Sequence, residues 1–265
     1  MAQSPEDAAQ VEQIWRKYLT TGEIESERRK RRLFKVLPGT PRCNNCYAPF
    51  HGTGGQIAKI LYGKRPSNLN PQLCNVCEQF AREHQGGAEV ELSLLFADVR
   101  GSTTIAETMS PTDYGRLIDR FYKAATQAMV KTDALIDKII GDQAAAMYVP
   151  GVAGPEHARR AIEGAQEILR ITGHGSEDGP WIPLGVGVHT GTAYVGAVGS
   201  DEGTVEITVL GDVANTAARL STSAGQGEIL VSEATVAAAG LRVDGREKRS
   251  LELRGKSEAM SVYVL

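Results

Sequence analysis

The run Leu94-Leu95-Phe96-Ala97-Asp98-Val99-Arg100-Gly101-Ser102-Thr103-Thr104 constrains this chain more than any other stretch. Val90 to Ala97 reads as a strand, and it delivers one carboxylate, Asp98, to its end. A tight turn through Gly101, Ser102 and Thr103 follows, and a helix opens a few residues later. An acid at a strand end, beside the backbone N–H groups of a turn, suits a metal ion holding a phosphate chain. Taken alone, an Asp in that place is as often a turn former or a helix cap. The rest of the chain decides between the two.

The 265 residues suffice for one large domain or two smaller ones. No apolar run approaches the length of a membrane span, and the polar start MAQSPEDAAQ is unlike a secretory leader. A soluble cytoplasmic protein is expected, in which four cysteines are metal ligands or free thiols rather than disulfides. The formal charge of −3 conceals an asymmetry. Through Gly87 there are 13 Lys+Arg against 8 Asp+Glu, and beyond it 16 against 24. The split predicts two parts with different roles, residues 1–88 and residues 89–265. His84-Gln85-Gly86-Gly87-Ala88-Glu89 reads as the linker.

In the first part, Ser4, Pro5 and Asp7 read as a capped helix start. Val11, Ile14, Trp15, Tyr18 and Leu19 form an apolar stripe at helical spacing, and Gly22 is the expected stop. The basic run Arg28-Arg29-Lys30-Arg31-Arg32 reads as a solvated face. Without a recognised binding module it gives no expectation of nucleic-acid binding. Phe50 to Gly55 is Gly-rich but lacks the Lys-Ser/Thr of a phosphate loop. Cys43-Asn44-Asn45-Cys46 and Cys74-Asn75-Val76-Cys77 are two C-x-x-C pairs 27 residues apart. Every cysteine of the chain falls in one of them. Four thiolates around one centre are expected, holding Zn²⁺ or, alternatively, an iron–sulfur cluster.

The second part alternates strands and helices. Ser110-Pro111-Thr112-Asp113 opens a helix with an apolar face from Tyr114 to Met129. Ala134 to Val149 reads as two strands turning at Gly141-Asp142-Gln143, and Pro155 opens another helix. Ile182 to His189 and Thr192 to Val198 read as two strands turning at Thr190-Gly191. Val205 to Leu210 is a strand, Val213 to Ser221 a short helix, and Glu228 to Val231 a strand. Ser232 to Ala239 is a capped helix ended by Gly240. This order predicts an α+β, ferredoxin-like βαββαβ-type fold with added strands, preceded by a small helical and metal-knuckle segment. If the hairpin strands neighbour the strand of Asp98, Asp142 becomes a second carboxylate at the same edge. The two can then hold two divalent cations over a triphosphate.

Five motifs stand in one order across about 175 residues. They are Phe96 to Thr103, Lys138-Ile139-Ile140-Gly141-Asp142, Gly185-Val186-Gly187-Val188-His189-Thr190-Gly191, Leu210 to Leu220, and Arg254-Gly255-Lys256. In this the segment from about Glu89 to Leu265 resembles the class III nucleotidyl cyclase catalytic domain. The resemblance implies that Asp98 and Asp142, with the backbone of Val99, bind two Mg²⁺ or Mn²⁺ ions. It implies that Gly101, Ser102 and Thr103 lie in the loop that cradles the phosphates. Lys138 and Thr208 would read the purine. A Lys donates to adenine N1, whereas guanine N1 bears a hydrogen, and the Thr hydroxyl can accept from the 6-amino group. That pair favours ATP over GTP. Asn215 would orient the ribose, and Arg219, four residues on, would meet charge building on the α-phosphate. Arg254 stands where the family usually has a Lys for the terminal phosphates, with Lys256 close by. The family's strand-end motif around His189 looks structural. In the family the metal acids come from one subunit and the purine and transition-state residues from the other. The expectation is a homodimeric adenylate cyclase with shared active sites. The alternatives are a guanylate cyclase and a non-catalytic nucleotide sensor with a metal-binding partner module.

Overall fold

A computed structural model describes residues 5–22, 25–200, 203–252 and 259–265, the side chains of 5 and 25–28 excepted. Ser4 lies outside the described residues. The chain divides into two compact units. One takes in residues 1–90, 150–152 and 194–210; the other takes in 91–149, 153–193 and 211–265.

The first unit begins with α1 (Pro5–Thr20) and α2 (Glu25–Val36). The stripe on α1 is core: Trp15 and Leu19 are fully buried. Trp15 meets Phe80 edge-on at 5.4 Å and donates its indole N–H to the carbonyl of His84 at 2.8 Å. Helix α1 is thereby tied to α4 (Asn75–Glu83). The basic run departs from expectation at one residue. It lies within α2, and Arg31 is buried, its guanidinium 4.0 Å from the ring centroid of Tyr47. A guanidinium stacks on an aromatic face where an ammonium would keep its water, so one Arg of a basic helix can turn inward. The Gly-rich stretch opens α3 (Gly52–Tyr62). A side chain at Gly54 would strike the carbonyl of Pro38, and one at Gly55 would strike Phe50.

The segment read as a linker is not a free connection. Strand β1 (Gly86–Val99) already begins within it. Gly86 and Gly87 lie so close to Val195 and Gly196 that a Cβ on Gly87 would collide with the Val195 carbonyl. Glycine here serves close backbone approach rather than flexibility.

The remaining elements are α5 (Ser102–Thr108), α6 (Pro111–Lys131), β2 (Leu135–Ile140), β3 (Gln143–Tyr148), α7 (Pro150–Ala153), α8 (His157–Ile171), β4 (Leu184–Gly199), β5 (Val205–Leu210), α9 (Asp212–Ser223), β6 (Ile229–Ser232), α10 (Glu233–Ala239), β7 (Lys248–Leu251) and β8 (Met260–Val264). The strand order is β2-β3-β1-β4-β6-β8-β7, with β5 paired to β4. Its first four strands have the order of a ferredoxin-like βαββαβ unit, as expected. One reading is overturned: β4 is a single strand through Thr190 and Gly191, not two strands with a turn. Thr190 is buried and hydrogen-bonded to core hydroxyls, which holds the backbone extended where Thr-Gly had suggested a bend.

Two features place the chemistry. β1 pairs antiparallel with β3, Asp98 opposite Gln143, so the β2–β3 turn stands at the end of β1. In β4, Gly185 and Gly187 leave one face bare. A Cβ on Gly187 would strike the Ser221 amide and the Ala217 carbonyl of α9. Val186 and Val188, alternating with them, are fully buried. This two-residue period seats α9 directly on strand backbone.

Candidate active site and cysteine centre

The Val99 N–H donates to the Asp142 carbonyl at 3.0 Å, which brings the two acids to the same end of the sheet. Asp142 Oδ2 accepts from the Ser102 hydroxyl at 2.5 Å. Gly101 supplies the left-handed turn (φ 65°) that α5 follows, with open space where a Cβ would be. Asp98 Oδ2 is met by the Arg100 guanidinium at 2.7 Å. Arg100 also donates to the carbonyl of Thr222, in the last turn of α9, at 2.7 Å. Burial raises the Asp98 pKa, and the charge of Asp142 adds to the rise, while Arg100 opposes it. Two carboxylates and a backbone carbonyl are hard oxygen donors of the kind Mg²⁺ and Mn²⁺ take. The residues present fit the implied cations.

Lys138 and Asp142 line one cavity of ≈ 290 Å³ with Phe96, Ile140, Gln143 and Ala145. Asn215 is exposed and Arg219 half-buried, one helical turn apart on α9. Among the described residues, none of Lys138, Asn215 and Arg219 has an ionic or hydrogen-bond partner for its side chain. Thr208 lies in the first unit, opposite Gly196 on the β4–β5 hairpin. It is 4% exposed, and its buried hydroxyl has no hydrogen-bond partner among the described residues. A buried hydroxyl left unsatisfied is costly unless a ligand completes it. Arg254 and Lys256 lie outside the described residues.

The four cysteines lie together in the first unit, buried, with all sulfurs within 4.8 Å of one another. Cys46 and Cys74 are 3.7 Å apart. Cys74 N–H donates to Cys43 Sγ at 3.2 Å, and the Asn45 amide to Cys77 Sγ at 3.4 Å. Lys64, only 2% exposed, brings its ammonium to 3.6 Å from Cys46 Sγ. Hydrogen bonds from the other three thiols and the Lys64 charge hold Cys46 well below the usual thiol range. Around one tetrahedral ion with Zn–S bonds of 2.3 Å, sulfurs stand about 3.8 Å apart. The residues fit such an ion.

Residues 86–265 match the family described as the adenylate and guanylate cyclase catalytic domain. The chain belongs to this family. An adenylate cyclase of Anabaena cylindrica is 30% identical over 184 residues, covering 65% of this chain and 36% of that protein. An adenylate cyclase of Mycobacterium tuberculosis is 29% identical over 178 residues, covering 66% of this chain and 39% of that protein. The chain thus spans little more than a third of the length of these relatives. Among solved structures, the guanylyl cyclase Cya2 is similar with a TM-score of 0.58 at 21% identity, covering 68% of this chain and 93% of that one. The adenylyl cyclase CyaB from P. aeruginosa gives 0.57 at 24%, covering 67% and 94%. These two likenesses concern the cyclase fold.

The cyclase domain also contains chemistry that sequence reasoning missed. Arg100 stands inside the Phe96 to Thr103 motif, but nothing in that motif shows its role, which depends on α9 returning beside β1. A buried chain of hydrogen bonds runs from His157 through Ser93, Thr190, Thr235 and Ser232 to His189, with links of 2.6 to 3.0 Å. Glu91 stands 4.0 Å from the far nitrogen of His157. Ser, His and acid thus occur in the order of a nucleophilic triad. Ser93 is 0% exposed, however, and no substrate reaches it. The network is a core brace between β1, β4, α8 and α10, in which His189 is a structural member. No described helix is long and apolar enough to cross a membrane.

Proposed function

We propose that this cyclase-family chain is an adenylate cyclase, converting ATP to 3′,5′-cyclic AMP and pyrophosphate as a homodimer with shared sites. The observation behind it is the meeting of Asp98 and Asp142 at one strand end; Lys138, without a side-chain partner among the described residues, is left to read a purine whose phosphates the other copy holds. Two divalent cations held there by Asp98, Asp142 and the Val99 backbone would activate the ribose 3′-hydroxyl and neutralise the triphosphate.

The remaining work falls to positioning and fixed charge. Lys138 donates to adenine N1, and the buried Thr208 hydroxyl accepts from the 6-amino group. Asn215 holds the ribose so that the 3′-oxygen lies in line with the α-phosphorus. The new O–P bond forms as the bond to pyrophosphate breaks, and the hydroxyl proton passes to solvent. Arg219 meets the negative charge on the α-phosphate oxygens. The backbone at Gly101, Ser102 and Thr103 cradles the phosphates, and Arg254 with Lys256 takes the terminal ones. Metal acids of one copy serve the purine readers of the other. Ile140 lies between Lys138 and Asp142 in sequence and is 67% exposed, an apolar side chain suited to a partner surface.

The four cysteines are read as holding one Zn²⁺ rather than an iron–sulfur cluster. A cluster separates thiolates on different irons further than a single ion does, whereas here all four sulfurs lie within 4.8 Å. Four thiolates on a divalent ion carry net negative charge, and a buried Lys64 offsets it. Reduced thiols of this kind suit a cytoplasmic protein.

The test is product analysis on the purified chain with Mg²⁺ or Mn²⁺, ATP and GTP supplied side by side. Cyclic AMP as the main product, abolished by Asp98→Ala, is expected. Preference for GTP would make it a guanylate cyclase. Nucleotide binding without turnover would make it a sensor.

A further inference from the structure

The cysteine centre, the helix that grows from it and the β4–β5 hairpin all belong to the first compact unit. Helix α4 starts at the centre: Cys74 is its N-cap and Cys77 lies in its first turn. Its flank packs along β5. From its last turn, Arg82 donates to the carbonyl of Gly203, just before β5, at 3.0 Å. The same guanidinium is steadied by Glu78, one turn back, at 2.7 Å.

A second tether comes from the loop that leads into Cys74. Asn70 is 5% exposed and donates its side-chain amide to the Val205 carbonyl, at the start of β5, at 3.0 Å. Its side-chain oxygen accepts from the Gln72 N–H at 3.0 Å, and its own carbonyl from Leu73 at 3.0 Å. Asn70 is therefore locked to the backbone that delivers the third cysteine. Strand β5 then runs on to Thr208, whose buried hydroxyl has no partner among the described residues. Gly196, opposite Thr208, is backed by Gly86 so closely that no side chain fits between them.

We propose that the four-cysteine module is the mount of the purine-reading strand: Asn70 and Arg82 are positioning residues that hold β5, and with it Thr208, at the place where it selects the base. Metal at the cysteines keeps α4 and the 70–74 loop in register, and they in turn keep the hairpin in register. The module thereby sets nucleotide affinity and base choice without touching the nucleotide. This rests on the reading of Thr208 as a purine contact. The hydroxyl would accept one hydrogen bond from the adenine 6-amino group, and a change in the distance and angle of that bond weakens it.

The experiment uses the full chain with its four cysteines intact, because Cys74→Ser risks unfolding the module. Asn70→Ala combined with Arg82→Met is compared with the parent in three measurements: bound metal, amide hydrogen exchange and steady-state kinetics with ATP and GTP. Bound metal stays as in the parent. Exchange in residues 205–210 accelerates about tenfold, corresponding to the loss of one to two hydrogen bonds. KM for ATP rises about fivefold to tenfold while kcat changes less than about twofold, and the preference for ATP over GTP narrows. Arg82→Lys alone, which keeps a donor, stays near the parent. Stripping the metal by chelation accelerates exchange in residues 43–77 and 205–210 together. Unchanged exchange in 205–210, in the double variant or after chelation, overturns the mount. Faster exchange with an unaltered KM and base preference overturns the positioning role. A failure of the Thr208 reading shows separately, as Thr208→Val leaving base preference untouched.

Discussion

Arg100 places its guanidinium 2.7 Å from Asp98 Oδ2 and, with its other nitrogen, 2.7 Å from the Thr222 carbonyl of α9. One side chain thus neutralises a proposed metal ligand and grips the helix that carries Asn215 and Arg219. A cation entering at Asp98 Oδ2 has to displace that guanidinium. Arg100→Gln is expected to tighten Mn²⁺ binding by about threefold to tenfold, the scale of a partly exposed ion pair. Titration of Mn²⁺ by electron paramagnetic resonance, without nucleotide, measures it; equal or weaker binding contradicts the displacement.

Arg219 is half-buried and has no partner among the described residues. In the proposed mechanism its charge meets the α-phosphate rather than holding the fold. Arg219→Ala should lower kcat on the order of 100-fold to 1,000-fold with little change in KM or Tm, as for other oriented transition-state donors. A large fall in Tm would instead make it a structural residue.

Gly187 gives α9 its seat. An alanine there meets the backbone of Ser221 and Ala217, and backbone cannot swing aside as a flexible side chain can. Gly187→Ala should cost about 1–3 kcal/mol by overpacking and lower activity by displacing Asn215 and Arg219. Chemical denaturation and kinetics on the same preparation check both effects. A variant of parental stability would show that α9 does not rest on this face.

The cysteine centre predicts one bound metal per chain and a colourless protein. Metal removal, or Cys46→Ala, should lower Tm on the order of 10 °C, because a closed four-thiolate site contributes folding energy to a small module. Metal analysis with calorimetry measures this. Visible absorption with iron and sulfide in the preparation would replace zinc by a cluster.

Glu167 on α8 joins Arg170 on its own helix and Lys131 at the end of α6. Hydrogen bonds from Arg170, then Lys131, hold its carboxyl down at about 2, against an ordinary 4.5. A depressed carboxylate stabilises the fold above its unfolded pKa, and the contribution is lost as pH falls through the folded value. Glu167→Gln should lower Tm by roughly 1–3 °C at pH 7, with the gap closing between pH 4.5 and 2. A gap that persists at pH 2 would trace to packing instead.

Much of the fold was legible because it rests on local pattern. Ser110 caps α6 by accepting from the Asp113 N–H, and Ser232 caps α10 by accepting from Thr235, as their sequence signatures require. The alternation of Gly185, Val186, Gly187 and Val188 already shows one bare and one apolar face. Thr190-Gly191 misled, because Gly in a strand marks close approach as readily as a turn, and only the neighbours distinguish the two. Gly86-Gly87 misled for the same reason. Arg31 was hidden within a basic run, since burial beside Tyr47 depends on a knuckle more than ten residues further on.

Local pattern shows which groups are present and how they are spaced: two acids after apolar strands, four thiols in two knuckles, Asn215 and Arg219 a turn apart. Those features follow from helix and strand periods and from turn chemistry, which act over a few residues. What meets across long separations came from the packed fold. It set Arg100 between Asp98 and α9, Lys64 beside Cys46, and Asn70 and Arg82 at the entry to the strand of Thr208. Such pairings arise from the packing of whole elements, where burial and hydrogen-bond satisfaction are settled jointly and no short stretch of chain contains the answer.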